Sequence, residues 1–233
     1  DFVWISGETR TNVSIKSHDN DHYIKVNEPG PTITKEEQEA LVEKISQLCQ
    51  PGDWWIIAGS LPPGLPKDYY ARLIEILQRH QAKVIFDASG QAFAQGCLSR
   101  PYLVKPNDVE LQEMTGLPVE STEQIIKAAN KLQEMGIEII VVSLGEKGAL
   151  LLSQDENWWA KSPPIQEKNP IGAGDSLVGG MVYGLSKGYS LSESLRWGVA
   201  SGAAAASLSG TAVGSFDYVE SLKQQTETQR LMP

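Results

Sequence analysis

Residues 54–87 read WWIIAGSLPPGLPKDYYARLIEILQRHQAKVIFD, and the order of patterns within them decides the fold class. Residues 54–58 and 84–86 are apolar throughout instead of alternating, and residues 68–80 between them carry apolar side chains at helical intervals. A strand without a polar face must be covered on both sides, and a helix between two such strands is the connection that parallel pairing requires. The unit repeats downstream, with strands expected at 103–104 and 139–142 and helices at 109–115 and 122–135. The pattern predicts an α/β fold: a mostly parallel sheet between two layers of helices.

Upstream the period changes. Residues 2–5, 12–15 and 22–26 are short alternating or β-rich runs broken by Gly7 and polar turns, which predicts a small sheet over residues 1–30. The change of period near Gly30-Pro31 marks a boundary, with residues 31–233 as the α/β core. Thr34 opens a helix with Glu37 three residues on, the spacing of a capping box, and Leu41, Ile45 and Leu48 follow at helical intervals. Beyond Asp175 the chain reads as helical, and the small residues of 198–206 suit close helix packing. Trp54-Trp55 and Trp158-Trp159 are each expected to place one ring in the core and one outside.

Composition narrows the function. With 233 residues and 41% hydrophobic content the chain can bury one full core, and a net charge of -9 disfavours nucleic-acid or anionic-membrane partners. No apolar run approaches the ~18 residues of a membrane span. Cys49 and Cys97 are too few and too unpatterned for a disulfide scaffold, which fits a reducing cytoplasm. His18, His22 and His80 share no metal-ligand spacing.

Polar motifs follow each apolar run, and in open α/β sheets ligands bind beyond the carboxyl ends of the strands. Gly59-Ser60-Leu61-Pro62-Pro63-Gly64, Asp87-Ala88-Ser89, Lys105-Pro106-Asn107-Asp108-Val109-Glu110 and Ser143-Leu144-Gly145-Glu146-Lys147-Gly148 all fall on that edge. A fifth motif, Asn169-Pro170-Ile171-Gly172-Ala173-Gly174-Asp175, sets two glycines and a carboxylate where a loop becomes a helix. Glycines admit a ligand to the backbone, and a helix start offers unpaired N–H groups to an anion. Asp175 would stand beside a bound phosphate, ionised, ready to accept a proton from an attacking hydroxyl; the plainer alternative is a helix cap. Asn107 and Glu110 likewise read either as ligands or as a cap and a first-turn acid. Neither a P-loop nor a complete dinucleotide fingerprint is present.

In their order these motifs resemble the ribokinase-like (PfkB) sugar kinases, whose GAGD signature, N-x-x-E motif and S-x-G-x-x-G loop match Gly172 to Asp175, Asn107 to Glu110 and Ser143 to Gly148. The stretches at 7–12, 27–31 and 59–64 most resemble the 1-phosphofructokinase branch, with tagatose-6-phosphate kinases close by. The resemblance implies a three-layer α/β/α fold with a small β lid, and phosphorylation of fructose 1-phosphate at its 6-hydroxyl by ATP and Mg²⁺. It implies Asp175 as catalytic base, Gly172, Ala173 and Gly174 as the anion hole, and Asn107 and Glu110 as Mg²⁺ ligands, acting through water. Lys105, Asn107, Ser143, Gly145, Gly148, Ser207 and Gly210 would contact the nucleotide. Arg10, Ser60 and Asp175 would contact the sugar phosphate, and two copies would pair through the lid. Other members begin with a strand bearing a sugar-binding aspartate and a glycine-rich sugar loop; nothing here corresponds, so the chain reads as lacking roughly the first quarter to third of the family pattern. A non-catalytic nucleotide-binding or regulatory module is the alternative from another class.

Overall fold

The apolar strands lie between two layers of helices, although Ile56 on the edge strand stays 45% exposed. β3 (Trp54–Ala58), β4 (Lys83–Asp87), β5 (Leu103–Val104) and β6 (Ile139–Ser143) lie side by side and parallel in that order. Ile85, Leu103 and Val141 face one layer, and their neighbours Phe86, Val104 and Val142 face the other. The first layer holds α6 (Ala173–Ser186) and α7 (Leu191–Ala206). The second holds α1 (Lys35–Leu48), α2 (Tyr69–Arg79), α3 (Gly90–Leu98), α4 (Asp108–Thr115) and α5 (Thr122–Glu134). An eighth helix, α8 (Phe216–Gln225), packs Val219 and Leu222 on Trp197 and Ala200 of α7. This is the expected three-layer α/β/α arrangement. The computed structural model describes residues 1–16 and 23–231, so His18 and His22 fall outside the described residues.

Beyond β6 the sheet continues through β7 (Ala149–Leu152), β8 (Asn157–Ala160) and β9 (Thr228–Leu231), each antiparallel to its neighbour. β8 therefore runs with β3 to β6, and β7 and β9 run against them. β9 corrects the reading of an all-helical chain beyond Asp175: a short polar strand at a sheet edge has no apolar pattern to betray it. Helix α3 is a second element that the periodicity does not predict. Its glycines are poor helix formers, but a Cβ on Gly96 would stand 2.4 Å from the Phe86 ring, so packing on the sheet sets that residue. The tryptophan pairs do alternate, Trp54 and Trp158 toward one layer and Trp55 and Trp159 toward the other. Helices cover both faces, so no ring is left outside and all four are half-buried.

The Thr34–Glu37 capping box forms as expected: Glu37 N–H donates to Thr34 Oγ1 at 3.2 Å and Thr34 N–H to Glu37 Oε2 at 2.8 Å. β1 (Asn12–Lys16) and β2 (Tyr23–Asn27) pair only with each other, antiparallel, with Val13 opposite Val26 and Ile15 opposite Ile24. Residues 2–5 form no strand. Their neighbours on α1 are side chains instead of a strand edge: Lys44 holds the Phe2 carbonyl at 2.8 Å, and Glu37 accepts the Ser6 N–H.

Candidate active site

A cleft of about 620 Å³ opens at the carboxyl ends of the parallel strands, within the usual range for a small-ligand site. Its floor is Lys105 and Asn107, one side is Ser143, Gly145 and Gly148, and the other is Ala173 and Gly174 at the start of α6. The parallel ladder brings these residues together. Asp87 ends β4, Lys105 follows β5, and Ser143 ends β6. A single parallel bridge joins Asn107 to Ser143, with Ser143 N–H donating to the Pro106 carbonyl at 3.0 Å.

Gly172 caps α6 with φ 81°, a left-handed conformation that glycine adopts without strain. The Ala173 N–H donates to the Pro170 carbonyl at 3.2 Å, and Ser176 N–H to the Gly172 carbonyl at 2.9 Å. Among the described residues, the amides of Gly174 and Asp175 have no backbone acceptor outside the helix, so the donors open to an anion are theirs. Asp175 is exposed in that first turn.

Lys105 is buried, with Nζ 3.3 Å from Asp87 Oδ1. Burial pushes the Asp87 carboxyl above its ordinary value; Lys105 pulls it back, and the nearby charges of Glu110 and Asp175 push with the burial. Asn107 and Glu110 form a reciprocal capping box on α4: Glu110 N–H donates to Asn107 Oδ1 at 2.8 Å, and Asn107 N–H to Glu110 Oε2 at 2.9 Å. Both side chains therefore act as the cap that the sequence offered as an alternative, while Oε1 of Glu110 takes no part in it. No group of three His, Cys, Asp or Glu side chains among the described residues makes a cage for a metal. The Glu110 Oε1 left outside the capping box is a hard oxygen donor of the kind Mg²⁺ accepts, directly or through its retained water.

Ser207 and Gly210 stand behind the cleft rim and do not line it. The Ser207 hydroxyl donates to the Ala204 carbonyl at 2.8 Å and meets Tyr218 Oη at 2.9 Å, and Asn169 Nδ2 donates to the Gly210 carbonyl. At the other end, Gly59 N–H donates to the Asp87 carbonyl at 3.1 Å, and the exposed Ser60 that follows it does not line the cleft. Tyr70 Oη donates to the Gly59 carbonyl at 2.9 Å. Burial pushes the Tyr70 hydroxyl up and the Arg10 charge draws it down; the Arg10 Cβ lies 3.6 Å from the point a Cβ on Gly30 would occupy. The sequence did not single out Asp87 as a site residue, nor the apolar wall of Pro163, Ile165, Val199 and Ala203. The wall has no chemical signature in sequence; an aspartate ending a strand beside a second strand's lysine was the available signal.

The description "pfkB family carbohydrate kinase" matches residues 1–216. The chain is 37% identical over 230 residues to a 1-phosphofructokinase of Bacillus subtilis, spanning 99% of this chain and 74% of that protein. It is 37% identical over 193 residues to ATP-dependent 6-phosphofructokinase isozyme 2 of Mycobacterium tuberculosis, spanning 82% of this chain and 57% of that one. Among solved structures, phosphofructokinase-2 from Escherichia coli superposes with a TM-score of 0.86 at 31% identity, covering 93% of this chain and 70% of that chain.

Proposed function

The chain belongs to the pfkB family of carbohydrate kinases, and on that premise we propose that it phosphorylates the 6-hydroxyl of fructose 1-phosphate from ATP, giving fructose 1,6-bisphosphate. The observation that carries the reading is the meeting of the α6 start with the buried Lys105 on the floor of one cleft. Phosphoryl transfer passes through a loose transition state, so catalysis is mostly positioning and charge stabilisation. In the anion hole of Gly172, Ala173 and Gly174, the amides of Gly174 and Asp175 and the Lys105 ammonium face the charge that develops. The Asp175 carboxylate orients the sugar hydroxyl and takes its proton. The loop of Ser143, Gly145 and Gly148 and the apolar wall hold the nucleotide, with Ser207 and Gly210 supporting the rim. Arg10 and Ser60 bind the sugar phosphate, a task suited to a planar guanidinium. Mg²⁺, held through water by Asn107 and Glu110, would neutralise the phosphate oxygens.

The relative named as a 6-phosphofructokinase favours fructose 6-phosphate as the second reading of the acceptor. A coupled assay of the full-length protein with ATP decides between fructose 1-phosphate, fructose 6-phosphate and tagatose 6-phosphate. The highest kcat/KM is expected for fructose 1-phosphate; a higher value for another acceptor overturns the assignment.

Glu110→Gln separates capping from metal binding, because glutamine also completes a capping box but carries no charge. Thermal stability is expected to hold, while the Mg²⁺ concentration for half-maximal rate rises about tenfold, the scale seen for groups that act through a metal's water. Unchanged metal dependence would leave Glu110 as a cap alone.

Residues 1–30 serve as a lid in this reading, and two copies pair through it. Val13, Ile15, Ile24 and Val26 lie on one face of the β1–β2 sheet and are all exposed, Ile24 by 60%. A two-stranded sheet with a bare apolar face gains most by burying it against a second copy of itself. Light scattering should give the mass of a dimer, and Ile24→Lys should halve it. A wild-type monomer at micromolar concentration would refute the pairing. Among the described residues no helix is long and apolar enough to cross a membrane, and the buried free Cys49 and Cys97 suit the cytoplasm.

A further inference from the structure

The kinase reading gives Asp87 no task, and any part for it in phosphoryl transfer rests on that reading. Yet Asp87 and Lys105 form the least exposed of the described ion pairs, with side chains 14% and 7% accessible. Withdrawing two charges from water costs as much as their attraction returns, so stability is a poor reason to keep such a pair. Its place in the fold suggests another. The two residues sit at the ends of adjacent parallel strands, tied by the Lys105 N–H donating to the Phe86 carbonyl at 3.3 Å. From that anchor the lysine crosses the floor toward α6, where its Nζ lies 3.4 Å from the point a Cβ on Gly174 would occupy. The ammonium is thus held between the Asp87 carboxylate and the helix start that faces the anion.

We infer that Asp87 is a positioning residue, whose carboxylate fixes the Lys105 ammonium beside Gly174 so that the lysine meets the transferring phosphoryl group already in place. A lysine side chain has four rotatable bonds, and ordering it during the reaction would add to the barrier; ordering it beforehand removes that cost. The same carboxylate opposes an anion at rest. Asp87 therefore favours the transition state over ground-state nucleotide binding, and its loss should appear in kcat before it appears in affinity.

Three variants test this: Asp87→Asn, Lys105→Met, and the two combined, each measured for kcat, for ATP affinity by calorimetry, and for Tm. Asp87→Asn is expected to lower kcat by ~10–10²-fold, the scale of a misplaced catalytic group, with ATP affinity kept or increased. It should also lower Tm, because it leaves a buried charge unpaired, and removing both charges should restore Tm. Since Asp87 acts through Lys105, the combined variant should match Lys105→Met in kcat to within about threefold. A combined variant slower by the full Asp87→Asn factor would overturn the inference, as would ATP affinity falling in step with kcat, or an unchanged kcat in Asp87→Asn. Should Asp87→Asn fail to fold, the combined variant against Lys105→Met still decides. If Lys105→Met and Asp175→Asn both keep kcat within a few-fold of wild type, it is the kinase reading that fails, whatever Asp87 does.

Discussion

Asparagine in place of Asp175 is expected to lower kcat by about 10²–10⁴ and to leave nucleotide affinity nearly intact, as the loss of a positioned base does. The substitution keeps the size of the side chain and removes its charge and its capacity to take a proton. Asp175 stands in the first turn of α6, where an anion favours the helix by roughly 0.3–1 kcal/mol. That sets the most the helix can lose. The expected rate loss corresponds to about 3–5 kcal/mol, so it cannot be mistaken for a folding defect. The apolar wall and the Ser143–Gly148 side of the cleft are untouched, which is why ATP should still bind. A coupled assay beside a melting curve checks both halves, and turnover within a few-fold of wild type would remove Asp175 from the chemistry.

The second large effect is structural. Gly148 has φ 91° and ψ −131°, a conformation open in practice to glycine alone. A Cβ there would stand 2.0 Å from the Ala160 carbonyl oxygen and 2.7 Å from the Ser162 nitrogen. Both obstacles are backbone, one closing β8 and the other starting the segment that walls the cleft. Gly148 itself cannot retreat, because its N–H donates to Gly145 and its carbonyl accepts from Leu144. Gly148→Ala is expected to cost about 3 kcal/mol or more, from backbone strain and the clash together. For a domain of this size that lowers Tm by roughly 6 °C at least, and nucleotide affinity should fall with it. Gly145→Ala is the comparison: its φ of 57° strains an alanine by about 1 kcal/mol, but nothing lies within 4 Å of its Cβ position, so no clash is added. Equal, small losses at both glycines would show that the loop yields freely.

Apolar runs with helices between them made the parallel half of the sheet readable, because covering on both faces leaves a direct mark on composition. The antiparallel half was less legible. Residues 149–152 are as apolar as any strand, but they follow β6 through a single 3-10 turn at Gly145–Lys147 with no α-helix between, and residues 228–231 are too polar and short to stand out. In the candidate site, the stretch from Gly172 to Asp175 was legible as a loop that turns into a helix, because the left-handed cap at Gly172 calls for glycine. Asn107 and Glu110 show the limit. Their spacing suits a helix cap as well as a metal, and in the structure it makes the cap. Asp87 was noticed only as part of a strand-end motif, because its partner Lys105 becomes a neighbour through strand pairing across residues far apart in sequence.

The pairing of Ala160 with Thr228 has a bearing on how this molecule is assembled. The whole excursion between those residues, from the cleft wall through the turn at Gly172 and helices α6, α7 and α8, is a loop closed by β9. Contacts so distant along the chain form slowly, because the entropy of closing the loop is lost before any pairing rewards it. On a ribosome the N-terminal strands and helices can settle against one another early. The turn bearing Asp175 is tied to the Ala206 carbonyl through the Lys168 and Asn169 N–H groups, so it can be held as soon as α7 is made, and what waits for Thr228 is the closing of the sheet edge at β9.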